Sequence, residues 1–249
     1  MSTTPADRLS QISTMWTALV RAHGSEAEAD HKLLAGLIER YQGAAYRYLA
    51  AATGDLDVAA DLFQEFAVRF LRGDFRRASP ERGRFRDYLR TTLINLSRRR
   101  PGVVRQGPSA GIDPDQLAAI DTEESVVADE AFLAHWRESL LDCAWKGLET
   151  AERGGGPPYF TALRLRADQP DIPSGDLAAE LTTRLKPSEP FTDAGARKLL
   201  QRGREILTDL LVTEVAASVP TEDKERLAQE LIDLGFFGYC RKALERWSP

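Results

Sequence analysis

Almost every periodic stretch of this chain has its apolar residues at helical spacing, three or four residues apart, and this is the strongest limit on its fold. One stripe runs Ala59, Leu62, Phe63, Phe66, Phe70. Others run Phe85, Leu89, Leu93, Leu96 and Leu199, Leu200, Gly203, Leu207, Leu210. Each lays one apolar face along a helix. No stretch alternates apolar and polar residues convincingly, and no Asn-Gly or Asp-Gly pair joins two apolar runs. The pattern predicts an all-α protein.

Punctuation divides it. A long helix is predicted over 31–52, with Leu33, Leu34, Leu37, Ile38, Tyr41, Ala45 and Tyr48 inward, and Gly54-Asp55 breaks it from the Ala59 helix. That second helix turns Asp61, Gln64, Glu65 and Val68 outward and ends at Arg72-Gly73-Asp74. A third buries Phe85, Tyr88, Leu89, Thr92, Leu93 and Leu96 and turns Arg86, Arg90 and Arg98 out. These three make a unit over 30–100, behind an N-terminal extension over 1–29. Pro101 stops the third helix, and the Pro- and Gly-punctuated stretch 101–127 reads as an acidic flexible linker. Periodicity resumes near Ala128 through Phe132, Leu133, Trp136, Leu140, Cys143 and Ala144, then halts at Arg153-Gly154-Gly155-Gly156. A short helix over 159–167 follows.

The next segment has the layout of a helix-turn-helix. Ser174 is expected to cap a first helix whose buried edge is Leu177, Ala178, Leu181 and Leu185. Lys186-Pro187-Ser188-Glu189-Pro190 forces a turn longer than usual. Thr192 caps a second helix with Ala196, Leu199, Leu200, Gly203, Ile206, Leu207 and Leu210 inward. Its first turns carry Arg197, Lys198, Gln201, Arg202 and Arg204, donors suited to phosphates and major-groove edges. The second domain is placed at 128–219. Residues 220–249 form a C-terminal helical pair over 221–234 and 236–247, split at Gly235, with Leu227, Leu231, Phe236, Phe237, Tyr239, Leu244 and Trp247 as packing residues.

Composition narrows the class. With 249 residues, 43% hydrophobic and 29% charged, the chain buries a working core and is not disordered throughout. No apolar run reaches membrane-spanning length, and the first residues do not read as a secretory signal. Two cysteines, Cys143 and Cys240, suit a reducing cytoplasm, and Cys143 reads as an inert thiol on an apolar helix face. Three histidines without a neighbouring Cys/His cluster argue against zinc, and no cofactor is expected. The formal charge of −5 hides segregation: residues 81–106 carry a net +6, whereas 107–152 carry a net −9. Concentrated basic patches in an acidic chain point to local polyanion binding.

The motifs then converge. Gly54-Asp55 followed by Ala60-Asp61-Leu62-Phe63-Gln64-Glu65-Phe66 is similar to the clamp-binding helix in region 2 of extracytoplasmic-function (ECF) sigma factors. Gly83-Arg84-Phe85-Arg86-Asp87-Tyr88-Leu89 and Asn95-Leu96-Ser97-Arg98-Arg99-Arg100 resemble the promoter-melting and −10-reading part of that region. Residues 132–216 resemble region 4, departing from its usual pattern through the extra segments 168–173 and 186–190. The C-terminal extension lies outside the minimal two-domain layout. The resemblance implies two small helical domains joined by an acidic linker, in a non-enzymatic initiation factor that directs core RNA polymerase to −10/−35 promoter DNA. It implies polymerase contacts at Asp61, Gln64 and Glu65. The −10 contacts fall at Arg84, Arg86, Arg90, Asn95, Arg98, Arg99 and Arg100, with Phe75, Asn95 and Tyr88 open as captors of an unpaired base. The −35 contacts fall at Thr192, Arg197, Lys198, Gln201, Arg202 and Arg204. An anti-sigma factor or another regulatory protein is a further partner open to the C-terminal helices.

Two other readings stand beside it. A stand-alone helix-turn-helix regulator would use the second domain without polymerase, and it leaves Asp61, Gln64 and Glu65 as an ordinary solvated face. An enzyme would need a nucleophile elbow, a phosphate loop or metal-ligand spacing, and the sequence carries none.

Overall fold

Gly54 turns the chain between two helices, α1 (Ala27–Thr53) and α2 (Leu56–Leu71). The computed structural model describes residues 27–72, 84–98, 123–219 and 223–248, with side chains described except at 27–35, 37, 98 and 123–129. Gly54 sits at φ 66°, a left-handed conformation without steric cost for glycine. Asp55 then caps α2, its carboxylate accepting from the N–H groups of Asp57 and Val58 at 3.0 and 3.1 Å. The remaining described helices are α3 (Phe85–Arg98), α4 (Glu123–Arg153), α5 (Tyr159–Asp168), α6 (Ser174–Leu185), α7 (Asp193–Ser218), α8 (Lys224–Asp233) and α9 (Phe237–Arg246). Among the described residues every regular element is helical.

Two compact units share these helices. The first takes residues up to Ser139 together with Val215–Glu230; the second takes Leu140–Glu214 and Leu231–Pro249. In the first, α1 packs on α2 and α3, and α2 on α3. Their buried faces are Tyr41, Ala44, Ala45, Tyr48 and Leu49; Ala59, Phe66 and Phe70; and Phe85, Leu89, Leu93 and Leu96. These follow the apolar stripes, with Leu62, Phe63 and Tyr88 half-buried at the margins. Phe132 and Trp136 of α4 complete this core: Phe132 meets Tyr48 edge-on at 5.5 Å between ring centroids. Trp136 is fully buried, yet its indole N–H finds no hydrogen-bond partner among the described residues.

The second unit centres on Leu148, Ala162, Leu163, Leu165, Leu177, Ala178, Leu181, Ala196 and Leu200, with Trp145 and Phe160 packed against them. Gly203 is buried where a Cβ would lie 3.2 Å from Leu163 and 3.3 Å from Tyr159, so its missing side chain is what lets α7 approach α5. At the start of α5 the Glu152 carboxylate accepts from the Thr161 N–H and hydroxyl. Arg246 of α9 pairs with Asp209 of α7 at 2.6 Å.

Several details differ from the sequence pattern. Ser174 is already the first helical residue of α6, and Pro173, in an extended conformation, takes the capping position without a side-chain bond. Leu185, Ile206 and Tyr239, expected inside, are exposed. Leu185 ends α6, where Lys186 turns left-handed at φ 46°; Ile206 lies at the margin of its stripe. Tyr239 falls about 100° around α9 from the buried Cys240. Cys143 is only half-buried; Cys240 is the buried thiol, pushed up to about 11 by burial and the nearby Asp209 charge. The expected helix start at 221 and nearly all of the acidic linker, 101–122, lie outside the described residues.

Candidate nucleic-acid interface

On α2 the structure brings Asp61, Gln64 and Glu65 onto one exposed face, as the spacing requires. Asp57 and Val68 continue that face, and Leu56, at the start of the helix, is 65% exposed. Glu65 also pairs with Arg69 one turn on, at 3.2 Å. That pair is solvent-facing and worth little on its own, so Glu65 stays available to another cation.

The start of α3 is arranged differently from a bare cationic patch. Arg84 donates through Nη1 to Oε2 of Glu230 at 2.7 Å, and Arg86 through Nη2 to the same oxygen at 3.4 Å. The Arg86 Nε lies 3.3 Å from the other carboxylate oxygen. The Glu230 side chain is 1% exposed, those of Arg84 and Arg86 29% and 11%, so the two guanidiniums enclose a buried carboxylate. Burial pushes the Glu230 carboxyl above the ordinary glutamate range, opposed by the charges of Arg86 and Arg84 and aided by Asp87. Arg90 and Asn95 are half-buried further along α3. The Arg98 side chain, Arg99, Arg100 and Phe75 lie outside the described residues. Tyr88 is half-buried, and burial raises its phenol above the usual tyrosine range.

Glu230 is the residue that sequence reasoning missed. The signal was present: it falls three residues after Leu227 and one before Leu231, on the apolar stripe of α8. A carboxylate in that position needs cationic partners once the stripe is buried.

The third group sits on α7. Arg197, Lys198, Gln201, Arg202 and Arg204 are all exposed along its N-terminal half, while Ala196, Leu200 and Gly203 face inward. Thr192 holds the helix start, its hydroxyl accepting from the Gly195 N–H at 3.0 Å. Arg197 pairs with Asp193 at 3.0 Å, and Gln201 donates to Glu205 at 3.3 Å, both in solvent. A further exposed cation, Arg164 of α5, lies 4.5 Å over the Trp145 ring. Among the described residues no group of His, Cys, Asp or Glu could hold a metal ion, and no helix is long and apolar enough to cross a membrane.

Residues 37–100 match the family model described as Sigma-70 region 2, a span that takes in α2, α3 and most of α1. No curated protein and no solved structure matches the chain. The match shows a sigma-70 region 2 domain within the chain, over about a quarter of its length.

Proposed function

We propose that this chain, with a sigma-70 region 2 domain over residues 37–100 as the premise, is an ECF-type sigma factor that carries core RNA polymerase to −10/−35 promoters. The observation that carries the reading is the exposed face of Asp61, Gln64 and Glu65 on α2, inside the matched span. Carboxylates and an amide spaced along one helix face are acceptors for a basic helical surface on the polymerase. In this reading α3 and the residues after it face the −10 element, where Arg84, Arg86, Arg90, Asn95 and Arg98–Arg100 meet phosphates and unpaired bases. The region 4 role falls to α6 and α7. Thr192, Arg197, Lys198, Gln201, Arg202 and Arg204 then grip and read the −35 element. The acidic linker, net −9 over 107–152 when its neighbouring helix is included, mimics a nucleic acid backbone in a positively lined channel of the polymerase.

The test is run-off transcription with purified core polymerase, the chain, and a library of upstream sequences. Discrete transcripts that appear only when both proteins are present are the expected result. A chain that fails to co-elute with core polymerase at every ionic strength overturns the reading. Sequence-specific duplex binding as a dimer without polymerase would instead favour a stand-alone regulator.

A further inference from the structure

We infer that Glu230 makes α8 an intramolecular lock on the DNA-facing surface of the first unit, holding Arg84 and Arg86 until promoter phosphate takes its place. The inference rests on the proposed reading of the start of α3 as a promoter-contacting surface. Both arginines marked there for phosphate are engaged by one carboxylate, from a helix outside the minimal two-domain layout. Carboxylate and phosphate oxygens compete for the same fork of guanidinium donors, so occupancy by one excludes the other.

The geometry fits exchange rather than a permanent strut. Arg84 makes the short bond, 2.7 Å, and its side chain is 29% exposed, so an incoming phosphate can reach it from solvent. Arg86, at 11%, lies deeper and carries the longer contacts of 3.3 and 3.4 Å. Glu230 itself cannot remain where it is once its partners turn away, because a buried carboxylate without them is strongly unfavourable. Opening therefore moves α8 with it: phosphate neutralises the arginines while Glu230 gains water. Leu227, 1% exposed on the same helix, holds the closed state by apolar burial. The charges facing Glu230 are Arg84, Arg86 and Asp87, the last of which favours opening.

The test uses the full chain and Glu230→Gln, which keeps the shape of the side chain and removes its charge. Binding to labelled mixed-sequence duplex and single-stranded oligonucleotides is followed by anisotropy across a salt series. For the variant, the slope of log affinity against log salt should steepen by about one to two units as one or two phosphates are gained. Affinity at low salt should rise by about tenfold. An unchanged slope and affinity in a cooperatively melting variant overturns the lock. Should the variant fail to fold, hydrogen exchange on the wild-type chain decides: amides of α8 exchange faster with DNA bound if the lock opens, and equally or more slowly if it does not exist. Polymerase retention is measured in parallel. Glu230→Gln should keep it, since Asp61, Gln64 and Glu65 are untouched. A steepened DNA slope without polymerase retention leaves the lock standing and removes the sigma-factor reading.

Discussion

Tyr41 of α1 and Trp136 of α4 lie stacked, their ring centroids 4.4 Å apart and their planes 13° from parallel. Phe85 and Phe132 approach the same indole at 6.3 and 5.9 Å, so Trp136 is the hub of the aromatic core in the first unit. The N-terminal half of α4 thus belongs to the bundle that presents α2 and α3, although residues 99–122 separate it from α3 in the sequence.

Trp136→Ala should destabilise that unit by about 3–5 kcal/mol, the usual cost of emptying a large aromatic site. Trp136→Phe should cost much less, because the indole N–H forfeits no hydrogen bond. Denaturant unfolding followed by circular dichroism checks both values.

Reversing the acidic strip separates docking from folding. Asp61→Lys with Glu65→Lys should weaken retention of core polymerase by about tenfold or more, since like charges then face each other. Both residues are exposed, and the Glu65–Arg69 pair is partly solvated, so the melting temperature should stay nearly constant. Unaltered retention in a pull-down would remove α2 from the polymerase contact.

Arg202→Ala should reduce the salt-dependence slope of promoter binding by about one unit if the guanidinium sits on a phosphate. Its exposed position on α7 leaves the fold untouched. Anisotropy titrations at several salt concentrations give the slope directly, and an unchanged one takes this residue out of the interface.

Glu230 predicts a pH signature. Its carboxyl is raised above 4.5 in the folded chain, so the unfolded chain releases this proton first as pH increases. Across the window from 4.5 up to the raised value, the folded state holds a proton that the unfolded state has lost, and stability falls with rising pH. Glu230→Gln cannot titrate there. The stability of wild type relative to this variant should therefore decline through that window, as measured by unfolding free energies at a series of pH values. A difference independent of pH would refute the shift.

The helices were legible because their stripes are strongly periodic and their ends are marked by Gly54, Asp55, the Gly154–Gly156 run, Thr192 and Gly235. Exposure of Asp61, Gln64, Arg197, Lys198, Gln201 and Arg202 followed from the same periodicity. What the sequence hid were pairings between distant segments. Arg84 and Glu230 are 146 residues apart, and periodicity carries no information about which buried acid meets which arginine. Ser174 was hidden for a local reason: Pro173 fixes the backbone one residue earlier and leaves the serine inside the first turn. Tyr239 misled because an aromatic residue beside a buried stripe looks like part of it.

Between α6 and α7 run the seven residues 186–192. The Thr182 hydroxyl donates to the Ala178 carbonyl at 2.8 Å and accepts from the Phe191 N–H at 2.9 Å, fastening the far end of this connection to the helix it left. One oxygen atom thereby converts a long elbow into a brace. The course of the chain from α6 into the cationic helix is tied down by a contact within the protein itself.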